Sequence, residues 1–270
     1  MEIVVIGSGN IATHLAKGFH EIGHNILQVY SKNIANAHVL ASSLSSLATD
    51  QISRINQSAG LYLIAVSDHA IPEVVEQLPQ SIQGIVVHTS GATPMATLRK
   101  FKDYGVIYPL QSLTKDISSN LKEIPFGVEG NSEQTTNTLI TQMTALSTKT
   151  FNCNSTQRLA LHTAAVFANN FSNALFQIAY EILQSENLPF DLLRPIIAET
   201  AQKVQDYLPS QTQTGPAKRN DIQTIKRRYG KDVFPIYTES DISATLPFKK
   251  FFTKKNKSTP NTVLFSLSTK

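Results

Sequence analysis

A short apolar run of mostly β-branched residues, Ile3–Ile6, stops at Gly7 and opens into Gly7-Ser8-Gly9-Asn10-Ile11-Ala12. The run reads as a buried parallel strand. Beyond the turn, Ile11, Leu15, Phe19 and Ile22 recur at helical spacing, and Gly23 predicts the helix end. This strand–turn–helix setting gives the glycine spacing its meaning. Gly7 permits a tight turn, Gly9 lets a pyrophosphate approach the backbone, and the small Ala12 lets helix and strand pack closely. The N–H groups across Ser8, Asn10 and Ile11, with the helix dipole behind them, favour a diphosphate. The turn therefore reads as a dinucleotide site. Other ligands of the same fold, such as S-adenosylmethionine, or a degenerate site are the alternatives.

The pattern continues in alternation. Ile26–Tyr30, Leu61–Val66, Ile85–Val87, Val106–Tyr108 and Phe126–Val128 read as strands; residues 34–48 read as a helix, and a further helix with Pro72 near its start runs to Leu78. Strands alternating with helices predict an α/β, doubly wound Rossmann domain over residues 1–152. Strand signals then stop. Arg158–Leu183 is a long helical stretch without proline or glycine, apolar nearly all round at Ala164–Ala168. Such a helix lies in the core of an all-α C-terminal domain or in a subunit interface. Further helices are expected at 189–208 and 219–229, the helical domain spanning 153–252 and a basic tail 253–270.

The second strand ends Tyr30-Ser31-Lys32-Asn33, without the carboxylate that usually binds the ribose hydroxyls of NAD. A hydroxyl and an ammonium suit a 2′-phosphate, so Ser31 and Lys32 predict NADP, unless Lys32 is simply a solvated charge. Two more loops lie where open α/β sheets bind ligands. Val66-Ser67-Asp68 is expected beside the adenosine or ribose, and His88-Thr89-Ser90-Gly91 towards the nicotinamide. His88 is equally well read as a packed strand-end histidine.

Charge is uneven. Residues 1–152 carry 9 Lys+Arg against 11 Asp+Glu, and residues 153–270 carry 15 against 9. Lys249, Lys250, Lys254, Lys255 and Lys257 hold much of the excess, and a solvated tail is a simpler reading than nucleic-acid or acidic-lipid binding. Zinc-finger spacing and RNA-binding signatures are absent, and no metal is expected. No apolar stretch approaches the ~20 residues of a membrane span. The start lacks a signal-peptide pattern, and the one cysteine, Cys153, has uncharged neighbours, so a cytoplasmic chain with an unreactive thiol is expected.

With these residues in hand, the chain resembles an uncharacterised family of assigned NADP oxidoreductases. That family is related to pyrroline-5-carboxylate reductase, prephenate dehydrogenase and the 6-phosphogluconate-dehydrogenase-like group. The carrying segments are Gly7–Ala12, Ala65–Asp68, His88–Gly91, Tyr108–Ser112, Gln157-Arg158 with Leu161–Asn170, and Gln213–Pro216 with Arg219 and Asp221. The resemblance implies a helical C-terminal domain that dimerises and closes the cleft over the nicotinamide. Two positions depart from the pattern. Val166 stands four residues before Asn170, where hydroxyacid dehydrogenases have lysine, and Arg228 stands where the family often has histidine.

His162 is then the candidate acid, a group of neutral-range pKa suited to proton delivery as hydride arrives. The alternative is a histidine that satisfies a hydrogen bond in the core. Helical spacing brings Arg158, His162 and Asn169 near one face, with Asn170 roughly 80° away. Asn170 would orient the substrate or the cofactor amide, and Arg219 would clamp a substrate carboxylate, unless it pairs with Asp221 to stabilise its turn. Glu199 and Lys203 read as a helix-face ion pair. The expected activity is hydride transfer between NADP(H) and a small polar, acidic keto or imino metabolite. A non-catalytic NADP-binding redox sensor is the alternative.

Overall fold

A computed structural model describes residues 1–215. Contacts divide the chain into one compact unit, Met1–Ile178, and a second that begins at Ala179. The first unit is built on an eight-stranded sheet of order β3-β2-β1-β4-β5-β6-β7-β8. Its strands are β1 Glu2–Ile6, β2 Asn25–Tyr30, β3 Leu47–Thr49, β4 Leu61–Ile64, β5 Ile85–His88, β6 Tyr104–Pro109, β7 Phe126–Gly130 and β8 Thr150–Asn152. Strands β1 to β6 are parallel; β7 runs against β6, and β8 follows β7 in parallel. The chain order reverses between β1 and β4, the switch point where such sheets bind ligands.

Side-chain alternation explains why both sheet faces are covered. Ile3 and Val5 of β1, with Leu61, Leu63, Val87 and Ile107, pack with helices α1 (Asn10–Glu21), α2 (Ile34–Ser42) and α4 (Glu133–Leu146). Val4 and Ile6, with Tyr62, Ile64 and Val86, pack on the other side with α3 (Ile71–Gln77). Helix α1 ends where expected. Gly23 takes φ +90°, while His24 N–H returns to Phe19 O and Gly23 N–H to His20 O.

The helix expected over 34–48 is shorter. It stops at Ser42, Ser45 turns the chain at φ 53°, and Leu47–Thr49 joins the sheet as an edge strand beside β2. Helix α4 escaped the sequence reading because it is rich in Thr, Gln and Asn. Only Thr135, Leu139, Met143 and Leu146 are buried along it, and a Ser132 cap sets its start.

Helix α5, Ser155–Ala165, passes through a π-helical turn, Val166–Phe171, into α6, Ser172–Ser185. A capping box between Asn154 and Gln157 starts it. Along this stretch Phe167, Phe171, Leu175 and Phe176 are exposed.

The described part of the second unit contains α7, Arg194–Asp206, and the short α8, Pro209–Thr212. Phe190 meets Tyr180 edge-on at 6.0 Å, and the Glu199–Lys203 ion pair forms at 2.6 Å. The helix expected over 219–229 and the tail 253–270 lie outside the described residues.

Candidate functional site

The glycine turn needs its glycines for different reasons. Gly7 sits at φ +124°, and a Cβ there would stand 2.2 Å from the Ala65 carbonyl oxygen. Its N–H donates to Tyr30 O, tying the ends of β1 and β2 together. Gly9 is the N-cap of α1 and offers no side-chain cap, while a Cβ built on it meets nothing within 4 Å. The first N–H groups of α1, on Asn10, Ile11 and Ala12, are thus left without a helical or capping partner beneath an open approach. An anion such as a diphosphate fits this cradle.

The turn opens into a cavity of about 620 Å³ at the carboxyl ends of β1, β2 and β4. Of the predicted cofactor residues, Gly7, Ser8, Gly9, Asn10, Ile11, Ser31, Lys32, Val66 and Ser67 line it. Asp68, His88 and Ser90 do not. Tyr30, Ala65, His69, Ala70, Val74, Gln111, Ser112 and Leu113 line it as well. The last three come from the segment after β6, which folds over the turn. Asn10 Oδ1 accepts the Lys115 N–H at 3.1 Å, and a ring nitrogen of His14 bonds the Thr114 carbonyl at 2.9 Å. Asn10 thereby also anchors this covering segment.

Ser8 Oγ donates to Ser31 Oγ at 2.9 Å, placing two hydroxyls side by side on the cavity wall. Lys32 is not an isolated charge: its ammonium reaches both oxygens of Glu73 on α3 at 2.9 and 3.0 Å. Their hydrogen bond and charge raise the Lys32 pKa and lower that of Glu73.

The loop after β5 is held by Arg158. This side chain is almost wholly buried and donates from Nη1 to the carbonyls of Ser90, Gly91 and Thr93 at 3.0–3.1 Å. Its Nη2 meets Glu129 Oε2 at 3.2 Å. Ser90 Oγ is occupied within the same loop, accepting from the N–H groups of Ala92 and Thr93. His88 is fully buried, and its Nδ1 accepts the Ser90 N–H at 3.2 Å. Burial, reinforced by the Arg158 charge, lowers its pKa to about 4, against a smaller opposing pull from the Pro94 carbonyl. His88 and Ser90 are parts of the loop's frame, the packed reading of His88.

One helical turn beyond Arg158 stands His162. Its Nδ1 lies 3.1 Å from the Tyr108 hydroxyl at the end of β6, with the rings edge-on at 5.8 Å. Gly91 fits beneath both: a Cβ there would come within 2.6 Å of His162 Nδ1 and 2.8 Å of the Tyr108 ring. The structure thus brings His162, Tyr108 and Gly91 together. Asn169 and Asn170 sit exposed in the π-helical turn, and Arg219 and Asp221 lie outside the described residues. Tyr108 was marked only as part of the segment Tyr108–Ser112, and its partnership with His162 has no local signature. The signal for Arg158 was its i, i+4 spacing to His162.

Cys153 is buried, and burial raises its thiol pKa, in line with an unreactive cysteine. Among the described residues no group of three or more His, Cys, Asp or Glu could hold a metal ion. Nor is any described helix long and apolar enough to cross a membrane.

The strand order, the glycine turn and the cavity at the switch point define a Rossmann-type nucleotide-binding protein with a helical C-terminal region. Residues 1–112 match the model of a Rossmann-like domain, and residues 124–242 match that of a domain of unknown function, DUF2520. A "putative NADP oxidoreductase" from Bacteroides fragilis, BF3122, is 38% identical, with 84% of this chain and 89% of that chain covered and a TM-score of 0.74. The chain belongs to this family, which joins a Rossmann-like domain to a DUF2520 domain. The fold is shared more widely. A 1-pyrroline-5-carboxylate reductase from Streptococcus pyogenes is 12% identical over 91% of this chain and 95% of that chain, with a TM-score of 0.63. An imine reductase from Myxococcus stipitatus, in complex with NADP+, is 15% identical over 91% of both chains, with a TM-score of 0.62. No curated protein matches the chain.

Proposed function

We propose that the chain is an NADP(H)-dependent oxidoreductase acting on a small polar, acidic keto or imino metabolite. The observation that carries this reading is the uncapped helix start at Gly9, opening into a cavity walled by Ser8, Ser31 and Lys32. The turn would hold the diphosphate, and Ser31 with Lys32 the 2′-phosphate; β2 ends without the acid that favours NAD. The names of similar proteins point the same way, from a "putative NADP oxidoreductase" to a 1-pyrroline-5-carboxylate reductase and an imine reductase.

The nicotinamide cofactor supplies the hydride when bound. His162 then offers a proton to the oxygen or nitrogen of the group being reduced. Asn170 would orient the substrate or the cofactor amide, and Arg219 would fork onto its carboxylate. Exposed Phe171, Leu175 and Phe176 support pairing of two copies through the C-terminal helical region. A free, buried cysteine suits a reducing cytoplasm.

The test follows the absorbance of reduced nicotinamide across a panel of keto acids and cyclic imines. Turnover of one panel member, reduced about 100-fold or more by His162→Asn, supports the reading. NADPH binding without any turnover across the panel favours a redox sensor instead.

A further inference from the structure

We infer that Tyr108 is a positioning residue for His162. Its phenol holds the imidazole in the tautomer that carries hydrogen on Nε2, so that Nε2 is the edge presented for proton transfer. This rests on the proposed hydride-transfer reading, in which His162 is the acid.

The geometry is fixed from both sides. Tyr108 sits in β6 between Val106, which pairs with His88, and the start of β7, where Gly127 lies opposite it. His162 sits on α5, whose preceding turn is anchored by Arg158 to the loop carbonyls and to Glu129. The missing Cβ at Gly91 is what lets the two side chains meet at 3.1 Å.

Which group donates follows from counting hydrogens. Were Nδ1–H to donate to the phenol oxygen, the phenol hydrogen would need another acceptor. Tyr108 is only 7% exposed, and among the described residues His162 is its one hydrogen-bond partner. The O–H therefore points to Nδ1, and in the neutral ring the hydrogen resides on Nε2. Nε2 has no hydrogen bond to any described residue. Burial raises the phenol pKa and keeps this proton in place, while the Arg158 charge opposes that rise. When Nε2 gives its proton to the reduced group, Nδ1 takes the phenol proton. Water then returns a proton to Nε2, and Nδ1 hands its proton back to the phenolate, held meanwhile in the field of the Arg158 guanidinium, so the starting tautomer is restored.

The experiment uses the full chain with isotope-labelled histidine and long-range proton–nitrogen spectra, the His162 signals being assigned by their loss in His162→Asn. The expected result is a pyridine-type Nδ1 and a pyrrole-type Nε2. Tyr108→Phe should shift both signals towards a mixture of tautomers. Gly91→Ala should do the same by wedging the rings apart, with both side chains intact. A pyrrole-type Nδ1 in the wild type, or an unchanged ring in Tyr108→Phe, overturns the proposal. NADPH calorimetry on the same samples separates the two readings. Tyr108→Phe should bind NADPH within about twofold of wild type, as a residue that acts through His162 and not on the cofactor. If no sample binds NADPH, hydride transfer falls; an intact tautomer then reports a structural bond and no catalytic positioning.

Discussion

Arg158 on α5 and Glu129 on β7 form a buried ion pair, Nη2 to Oε2 at 3.2 Å, with side chains 2% and 11% exposed. Ser155 Oγ completes it, donating to both carboxylate oxygens at 2.7 and 2.9 Å. The pair couples the long helix to the sheet and to the loop after β5. Removing one partner leaves the other charge buried. Arg158→Met and Glu129→Ala should each cost about 3–5 kcal/mol in denaturant unfolding, with Arg158→Met/Glu129→Met less costly than the sum. Additive losses would show that the two groups stabilise the fold independently.

His88 gives the fold a pH dependence of predictable sign. Its folded pKa is lowered to about 4 from an ordinary 6.5, so the unfolded chain binds its proton first. The stability held at neutral pH is therefore lost as pH falls from about 6.5 towards 4, by about 3 kcal/mol in total for this group. His88→Phe should flatten the stability–pH curve across that window. An equally steep curve in the variant would assign the dependence to other groups.

The two turn glycines should separate folding from binding. Gly7→Ala meets both a positive φ and the Ala65 carbonyl, and should cost about 2–3 kcal/mol or more in thermal unfolding. Gly9→Ala, in extended backbone with open space around it, should keep stability within about 0.5 kcal/mol of wild type. Its methyl would instead stand in the approach to the helix N–H groups, weakening NADPH binding.

The parallel core was legible because its strands, buried on both faces, read as continuous apolar runs: Val4 and Val5 of β1 are both fully buried. Edges were harder. Leu47–Thr49 is three residues long and follows a helix without a glycine or proline to mark the break. The cofactor turn was legible because its chemistry is local in sequence. Tyr108, 54 residues from His162, and Glu129, 29 from Arg158, become partners only through the sheet order, which spacing does not encode. The apolar Ala164–Ala168 segment signalled burial, yet Phe167 within it and Phe171 just beyond it are exposed.

Glu73 competes for Lys32 at the cavity wall. A bound 2′-phosphate must share that ammonium with a carboxylate that repels it. Glu73→Gln should therefore tighten NADPH binding about two- to fivefold with little effect on NADH, and more so at low salt. Weaker NADPH binding in this variant would mean that Glu73 orients Lys32 for the ligand.

The central claim is that this turn and the end of β2 hold NADP. Calorimetry with NADPH and NADH, on wild type and on Ser31→Asp/Lys32→Ala, tests it most directly. The account predicts that wild type binds NADPH more tightly than NADH and that the double change removes or reverses the preference. Binding of neither cofactor by the wild type would contradict it.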